Sequence, residues 1–374
     1  MVAGGFWAAG SSPDFLRSSR MDRSPQSPQW RDGRFRNPQP IWNDTWGALA
    51  AMVRRDSNAN PQAEIPVAHP TRADLAADAP TGLRATWLGH STVHLEVDGT
   101  RVLTDPVWGL RASPFGWAGP RRFYAPPIPL EEVPVPQVVA LSHDHYDHLD
   151  RDTIRRIKDW DTRFVTPLGV GARLVRWGVA ADRITELDWW ESVRVGDLEV
   201  VLVPARHASG RGLRDKDRTL WGGFAFLGPR HRVYFSGDTG MFPGLADIGE
   251  RLGPFDLAMI EAGAYNPAWP DWHLGPEQAV AAHRMVRGRV LLPLHWGLFN
   301  LAAHGWTEPV ERVLAAADPA GIPVALPRPG EGFEPGGPLP TQRWWPTLPW
   351  KTAAEVPVRA TLDGQPAVLQ GGLP

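Results

Sequence analysis

A short run of histidines and aspartates near the middle of the chain contains the residue types that bind metal ions. The segment His143-Asp144-His145-Tyr146-Asp147-His148 follows Gln137–Ser142, a continuous apolar run typical of a buried strand. Imidazole nitrogens and carboxylate oxygens are common ligands of zinc and similar divalent ions. Alternate side chains of an extended segment share one face, so His143 and His145 can bind one ion. Asp147 and His148, at the start of the following turn, can bind another.

Two metal ions need more ligands, and three candidates follow other strand-like segments. His207 follows Leu198–Val203, Asp238 follows Arg232–Phe235, and His295 follows Val290–Leu294. Each place has an apolar strand, then a residue able to bind metal, then small or turn-forming residues. Side chains at strand ends sit on a rigid support, which favours function.

Composition excludes several classes of function. The 374 residues include 39 Lys and Arg against 41 Asp and Glu, a net charge of −2, and no Cys. The balance argues against nucleic acid as a partner, because that needs a basic surface. Without Cys there are no disulfides, thiolate ligands or cysteine nucleophiles. No segment resembles a signal peptide or reaches the roughly 18 apolar residues of a membrane span, so we predict a cytoplasmic protein.

The elements that must position these residues alternate between strands and helices. An Asp98-Gly99 turn predicts a hairpin, and Asp152 is the predicted cap of a helix ending at Lys158. Strands interleaved with helices indicate an α/β (α+β) fold with layered sheets covered by helices. The predicted strands are Arg84–Leu88, Thr92–Val97, Arg101–Thr104, Gln137–Ser142, Arg163–Thr166, Leu198–Val203, Trp221–Leu227, Arg232–Phe235, Asp256–Ile260 and Val290–Leu294. The other predicted helices are Gly169–Trp177, Pro276–Met285 and Glu308–Ala316.

Changes in composition and hydrophobic pattern along the chain predict four parts. Residues 1–30 form a disordered segment or an extension, and residues 31–82 form an N-terminal arm that packs on the core. Residues 83–334 form the domain that carries the chemistry, and residues 335–374 form a Pro- and Gly-rich C-terminal extension.

The order of these motifs resembles the metallo-β-lactamase superfamily. Within it, the chain is similar to the N-acylphosphatidylethanolamine-hydrolysing phospholipases D and their bacterial relatives, over residues 32–334. The similarity is carried by residues 86–92 (Thr-Trp-Leu-Gly-His-Ser-Thr), 103–106 (Leu-Thr-Asp-Pro), 119–123 (Gly-Pro-Arg-Arg-Phe), 186–190 (Glu-Leu-Asp-Trp-Trp), 219–222 (Thr-Leu-Trp-Gly) and 263–265 (Gly-Ala-Tyr).

The resemblance implies a four-layer αββα sandwich with a binuclear metal site at one edge of its two sheets. By position, the first ion would be held by His143, His145 and His207. The second would be held by Asp147, His148 and His295, and Asp238 would bridge the two. The ions are expected to be zinc, with iron or manganese as alternatives.

The activity implied is hydrolysis of a phosphodiester by a hydroxide that bridges the metals. Two divalent ions, two aspartates and one hydroxide leave a formal charge of about +1, which favours an anionic substrate. The expected substrate is an N-acylphosphatidylethanolamine-like lipid or a small molecule, with peripheral membrane contact and a homodimer as open alternatives. Two other functions stay open: hydrolysis of a carboxylic ester, thioester or lactone at the same site, and metal binding without turnover.

Further residues have a functional and a structural interpretation each. His273 would contact the substrate phosphate or act as a general acid, or else belongs to a helix-entry loop. Tyr146 would donate to a substrate oxygen, or packs beneath the metal loop, and Arg211 would reach an anion. The resemblance makes Asp105 the partner that orients a ligating histidine, whereas a turn cap is the alternative. His90 is either a neighbour of the site or a hydrogen-bonding core residue.

The chain departs from the phospholipase pattern at four positions, which are Gly116, Arg206, Glu261 and Asn266. We expect these departures near the substrate rather than near the metals, and we expect Asp144 at the surface.

Overall fold

Apolar side chains alternate between the two faces of the central strands. Val138 and Ala140 belong to a core cluster shared by both sheets, whereas Val139 belongs to a second cluster that also contains Ile154 and Leu174 from helices. Because successive side chains of a strand point to opposite faces, this sheet must be covered on both sides. The computed structural model, which describes residues 23–53, 56–212 and 214–361, has such an arrangement.

Two mixed sheets are flanked by helices. In the described parts of the chain the strands are β1 (Trp30–Arg31), β2 (Arg34–Phe35), β3 (Leu83–Gly89), β4 (Thr92–Val97), β5 (Thr100–Thr104), β6 (Val138–Ala140), β7 (Arg163–Pro167), β8 (Ile184–Leu187), β9 (Ser192–Val195), β10 (Leu198–Val203), β11 (Gly223–Leu227), β12 (Arg232–Phe235), β13 (Phe255–Glu261), β14 (Gly288–Leu294) and β15 (Gly332–Phe333). The helices are α1 (Thr45–Val53), α2 (Arg72–Ala76), α3 (Arg151–Ile157), α4 (Gly171–Arg176), α5 (Gly244–Leu252), α6 (Pro276–Met285) and α7 (Glu308–Ala317).

Each sheet has an antiparallel part followed by a parallel part. The first sheet has the order β15-β3-β4-β5-β6-β7-β8, and its strands are parallel from β5 to β8. The second has the order β14-β13-β12-β11-β10-β9, with β12, β13 and β14 parallel. The carboxyl ends of parallel strands meet at one sheet edge, which is the common place for a binding site in α/β proteins.

Helices complete the layers on the outside. The α3 residues Ile154 and Ile157 and the α4 residue Leu174 are buried with the outer face of the first sheet. On the second sheet, α6 contacts β13 and β14, and α5 and α7 contact α6. The predicted four-layer αββα sandwich is confirmed. Among the described helices, none combines the length and apolarity needed to cross a bilayer.

The predicted strands are all present, with ends that shift by up to two residues. The predicted cap of α3 was wrong: Asp150 precedes the helix, and its side chain accepts a hydrogen bond from the Asp152 backbone N–H. A carboxylate one residue before the first helical turn can reach the free N–H groups there, whereas Asp152 lies inside that turn. The sequence analysis missed the helices α2 and α5 and the short strands β1, β2, β8, β9 and β15.

Both ends of the described chain pack against the core. In the N-terminal arm, the Asp44 backbone N–H donates to the Ala268 carbonyl at 2.8 Å, and Ile65 is buried in the main core cluster. Towards the C-terminus, the Trp344 ring stacks on Trp296 with centroids 5.3 Å apart. The limits of the four predicted parts stay a prediction, and residues 1–22 and 362–374 lie outside the described residues.

Candidate metal centre

The loop between β6 and α3 carries the central histidine motif. A turn closes it, because the backbone N–H groups of His148 and Leu149 both donate to the His145 carbonyl, at 3.2 and 2.8 Å. The turn brings residues 147 and 148 beside the extended residues 143 and 145. Asp144 is buried, contrary to the expectation that it lies at the surface. Burial alone would raise its pKa, but the nearby Arg173 guanidinium, at 2.6 Å, lowers the pKa below its usual value.

The remaining candidate ligands come from the ends of second-sheet strands. His207 follows β10, Asp238 follows β12 and His295 follows β14. Because β12 and β14 run in the same direction, their ends lie at the same edge of the sheet. His90 and Asp105 follow β3 and β5 of the first sheet. The site is therefore built where the edges of the two sheets meet.

His143, His145 and His207 form the first cluster, which we call the histidine group. His143 Nε2 lies 2.9 Å from His145 Nδ1, and His207 Nε2 lies 3.2 Å from the same atom. Asp238 Oδ2 lies 3.7 Å from both His143 Nε2 and His207 Nε2. One ligand atom of each of the four residues lies within 4.8 Å of the others, as binding of one metal ion requires.

His90, Asp147, His148 and His295 form the second cluster, which we call the mixed group. Asp147 Oδ2 lies 3.1 Å from His90 Nε2, 3.4 Å from His148 Nε2 and 3.3 Å from His295 Nε2. The Nε2 atoms of His148 and His295 are 3.1 Å apart. The ligand atoms of this group also lie within 4.8 Å of one another.

Asp238 touches both groups. Its Oδ1 atom lies 3.1 Å from His148 Nε2, and its Oδ2 atom lies 3.2 Å from His295 Nε2 and 3.7 Å from the two nitrogens of the histidine group. This is the position that the predicted bridging role requires.

The donor set fits divalent metal ions. Ring nitrogens of buried histidines face one another at about hydrogen-bond distance, an arrangement that leaves at least some lone pairs without a donor. Buried polar groups without partners cost free energy, and a cation among these nitrogens would supply the missing partner. His and Asp ligands suit zinc, iron and manganese.

The two groups differ in their affinity for protons. Burial lowers the pKa of His143 and His207 well below the ordinary value, and neighbouring histidines lower it further. Burial also opposes protonation of His148 and His295, but the carboxylates outweigh it. Asp238 and Asp147 raise the pKa of His148 well above its ordinary value and that of His295 to about 10. In the absence of metal, the mixed group therefore holds protons that the histidine group does not.

Asp105 contacts His148 of the mixed group directly and His143 of the histidine group through Ser142. Its Oδ2 accepts a hydrogen bond from His148 Nδ1 at 2.7 Å, which leaves His148 Nε2 free to face the site. The Ser142 hydroxyl donates to the same oxygen at 2.5 Å and lies 3.0 Å from His143 Nδ1. These contacts are those of a residue that orients ligating histidines. His90 lies beside the site, as one interpretation expected, with its ring centroid 4.0 Å from that of His295.

His273 lies against the metal groups together with Glu261, an acidic residue that we expected near the substrate rather than near the metals. Its Nδ1 atom lies 2.7 Å from Glu261 Oε2 and 3.8 Å from Asp238 Oδ2. Glu261 is the last residue of β13 and is buried. The sequence did contain a signal, because Glu261 is a polar residue at the end of an apolar strand, as are the predicted ligands.

Tyr146 and Arg211 contact each other. The Tyr146 hydroxyl donates to the Arg211 carbonyl at 2.7 Å, and the Arg211 guanidinium lies 3.9 Å from the centre of the Tyr146 ring. Arg211 Nη1 also donates to the carbonyls of Asp144 and Leu149, at 2.8 and 2.7 Å. These bonds hold the metal loop in place. A substrate contact by either side chain must share or replace them, so that role stays a prediction.

Arg206 does not lie where we expected it. Its side chain is buried and forms an ion pair with Asp271 at 2.9 Å. It also donates to the carbonyls of Pro40 in the N-terminal arm and Thr361 in the C-terminal extension. Asp271 in turn accepts from the Trp42 backbone N–H at 2.9 Å. We call this pair the Arg206–Asp271 clamp. It joins the loops that carry His207 and His273 to both ends of the described chain.

The fold and the site agree with comparisons to known proteins. A family model described as "Beta-lactamase superfamily domain" matches residues 100–296. "Uncharacterized protein Rv0906" of Mycobacterium tuberculosis is 48% identical over 334 residues, covering 86% of this chain and 88% of that protein. "N-acyl-phosphatidylethanolamine-hydrolyzing phospholipase D 1" of Caenorhabditis elegans is 39% identical over 305 residues, covering 74% and 84%.

A solved structure supports the fold. The isothiocyanate hydrolase from Delia radicum gut bacteria matches 67% of this chain and 98% of its own, with a TM-score of 0.55 and 20% identity. With overlapping clusters of His and acidic side chains at the edge of an α/β sandwich, the chain belongs to the β-lactamase superfamily and is a metal-dependent hydrolase of the metallo-β-lactamase fold.

Proposed function

We propose that the protein is a binuclear phosphodiesterase of phospholipase D type that acts on N-acylphosphatidylethanolamine-like lipids. The observation that carries the proposal is the position of Asp238, whose carboxylate contacts both the histidine group and the mixed group. Such an arrangement suits two ions close together, the kind of site that stabilises both the attacking and the leaving oxygen of a phosphoryl group.

The residues have separate parts in this proposal. His143, His145 and His207 hold one ion, Asp147, His148 and His295 hold the other, and Asp238 holds both. When bound, the ions supply Lewis acidity and a water whose pKa is lowered towards about 7. His273, which is 14% exposed beside Asp238, is the protein group available to contact the substrate phosphate. Zinc is the metal we propose, with iron and manganese as alternatives.

The relatives support the lipid substrate. The C. elegans relative carries the name of an N-acyl-phosphatidylethanolamine-hydrolyzing phospholipase D, as does a protein of Saccharomyces cerevisiae that is 30% identical over 300 residues. An anionic phosphodiester also suits a site whose formal charge with two ions and two aspartates is positive.

A surface on α1 supports peripheral contact with a membrane. Trp46, Leu49 and Val53 are 81%, 58% and 79% exposed, and their spacing places them on one face of the helix. The next two residues in the sequence are arginines, whose positive charge favours binding to anionic lipid surfaces. Sedimentation with phosphatidylglycerol vesicles tests this contact. We expect Trp46→Ser to weaken binding and the matched control Val175→Ser to leave it unchanged, and equal binding by both variants would contradict the contact.

The activity test uses metal-loaded protein and N-acylphosphatidylethanolamine in mixed micelles, with products read by mass spectrometry. We expect N-acylethanolamine and phosphatidic acid, and no product from the Asp238→Ala protein. Free fatty acid instead would move the reaction to the acyl carbonyl and support the ester hydrolase. A protein that holds two metals but turns over neither this lipid nor simple phosphodiesters, thioesters and lactones would contradict an enzymatic role.

A further inference from the structure

Glu261 is held at both oxygens of its carboxylate. Oε1 accepts a hydrogen bond from the backbone N–H of Thr239, the residue after Asp238, and Oε2 lies 2.7 Å from His273 Nδ1. The Glu261 backbone N–H donates to the Ser236 hydroxyl at 3.0 Å. The carboxylate therefore has one fixed position, between the loop after β12 and the loop before α6.

The fold itself does not need an acidic residue there. The preceding β13 residues Ala258, Met259 and Ile260 are apolar and fully buried, and Glu261 is only 1% exposed. Burying a carboxyl group in such surroundings costs free energy that an apolar side chain would not. A role of this carboxyl group in the site, rather than in packing of the core, accounts for the free-energy cost of burying it.

The contact with Glu261 decides which atom of His273 is available. Nδ1 is taken by the carboxyl group, and no described residue forms a hydrogen bond with Nε2. The His273 ring centroid lies 5.2 Å from those of His207 and His295, so the ring sits between a ligand of each metal group. The side chain is 14% exposed, which leaves it accessible from the outside of the site.

We propose that Glu261 is a positioning residue that fixes the His273 ring through Nδ1, so that Nε2 faces the substrate beside the two metal groups. An imidazole held by a carboxylate at one nitrogen and presented to the reaction at the other is a recurrent catalytic arrangement. The substrate part of this proposal depends on the proposed function, whereas the hydrogen bond at Nδ1 does not.

A double-mutant cycle tests whether Glu261 acts through His273. The zinc-loaded wild type, Glu261→Ala, His273→Ala and the double variant are compared for kcat and KM on bis(4-nitrophenyl) phosphate, with metal content measured in each. We expect each single variant to lower kcat/KM by about 10- to 100-fold at unchanged metal content. We expect the double variant to be no worse than His273→Ala, because residues that act as a unit are not additive. Additive losses would overturn the proposal.

Two controls separate positioning from a structural role. Glu96→Ala removes another buried carboxylate, which accepts a hydrogen bond from the Ala79 backbone N–H. It should lower the Tm but change kcat/KM by less than about twofold. Glu261→Gln keeps the length of the side chain and a group that can hydrogen-bond Nδ1, so it should recover part of the loss seen in Glu261→Ala. Failure of Glu261→Gln to exceed Glu261→Ala would count against positioning by hydrogen bonding.

A readout without any substrate keeps this inference distinct from the proposed function. In zinc-loaded protein labelled with ¹⁵N-histidine, the His273 signals are assigned by their loss in His273→Ala. We expect Nδ1 to show a hydrogen bond in the wild type that is lost in Glu261→Ala. If phosphodiesters prove not to be substrates but this bond is present, the proposed function fails while the positioning of His273 stands. If the wild type lacks the bond, the positioning role fails whatever the substrate is.

Discussion

The histidine group and the mixed group contain similar residues but differ in the charge that surrounds them. In the histidine group three imidazoles face one another, and the Asp238 carboxylate lies 3.7 Å from His143 Nε2 and His207 Nε2. In the mixed group, Asp147 and Asp238 lie within 3.1–3.4 Å of His148 and His295. Burial therefore dominates at His143 and His207 and lowers their pKa values, whereas the carboxylates dominate at His148 and His295 and raise theirs. Two neighbouring metal positions can thus bind metal with very different sensitivity to pH.

The largest effect should come from the residue that the groups share. Asp238→Ala should lower hydrolysis by more than about a hundredfold, because partners outside the ligand shell already cost about 10–100-fold when removed. The mixed group should lose its ion more readily than the histidine group, since Asp238 lies closer to it. Turnover and metal content by mass spectrometry check this, with the exposed residue Asp247 changed to Ala as control. Full turnover with both ions bound would rule out the bridging assignment.

Asp105→Asn should lower the metal affinity of the two groups to different extents. Asp105 bonds directly to His148 but reaches His143 only through Ser142. We expect metal affinity at the mixed group to fall by about 10–100-fold and affinity at the histidine group to fall less. Competitive titration with a chelator measures both constants. An equal loss of metal affinity at both groups would mean that Asp105 stabilises the whole loop between β6 and α3.

The next largest effect should be a difference between the two groups in the pH dependence of metal binding. The pKa of His295 is raised from about 6.5 to about 10, so in the metal-free protein it is protonated at pH 7, and a metal ion must displace that proton. Affinity at the mixed group should therefore rise with pH, about tenfold per pH unit for each proton displaced. His143 and His207 are already neutral at pH 7, so affinity at the histidine group should change little. Calorimetry in buffers of different ionisation enthalpy counts the protons, and equal proton release at both positions would contradict the comparison.

The smallest effect is expected for His90. It lies 3.1 Å from Asp147 but was predicted to neighbour the site rather than to bind metal. His90→Asn should weaken metal binding at the mixed group by about tenfold or less, which chelator competition can measure. Loss of a whole equivalent of metal would instead make His90 a ligand.

Most of the candidate metal ligands could be predicted from the sequence because each of them comes shortly after an apolar strand. The motif at residues 143–148 is continuous, and His207, Asp238 and His295 each follow a recognisable apolar strand. The parallel strands then bring these ends together, so the strand order of the fold places ligands that are distant in the sequence beside one another. The short strands β8 and β9 were missed because their burial is partial and their pattern brief.

The errors fall where a side chain's position depends on distant partners. Asp144 is buried because Arg173 and the Gly210 backbone N–H reach it, at 2.6 and 2.7 Å. Arg206 points to the chain ends because Asp271, 65 residues later, lies beside it. Glu261 belongs to the site because the loop before α6 places His273 next to it. No spacing within the sequence specifies these contacts.

The Arg206–Asp271 clamp has a consequence for the order of events during synthesis. It requires Pro40, near one end of the described chain, and Thr361, at the other. The loops that carry His207 and His273 therefore gain their final support only after residue 361 has left the ribosome. A nascent chain would hold the ligands of residues 143–148 long before the centre is complete. The metal centre should therefore be completed late, once the segment around Thr361 has packed onto the clamp.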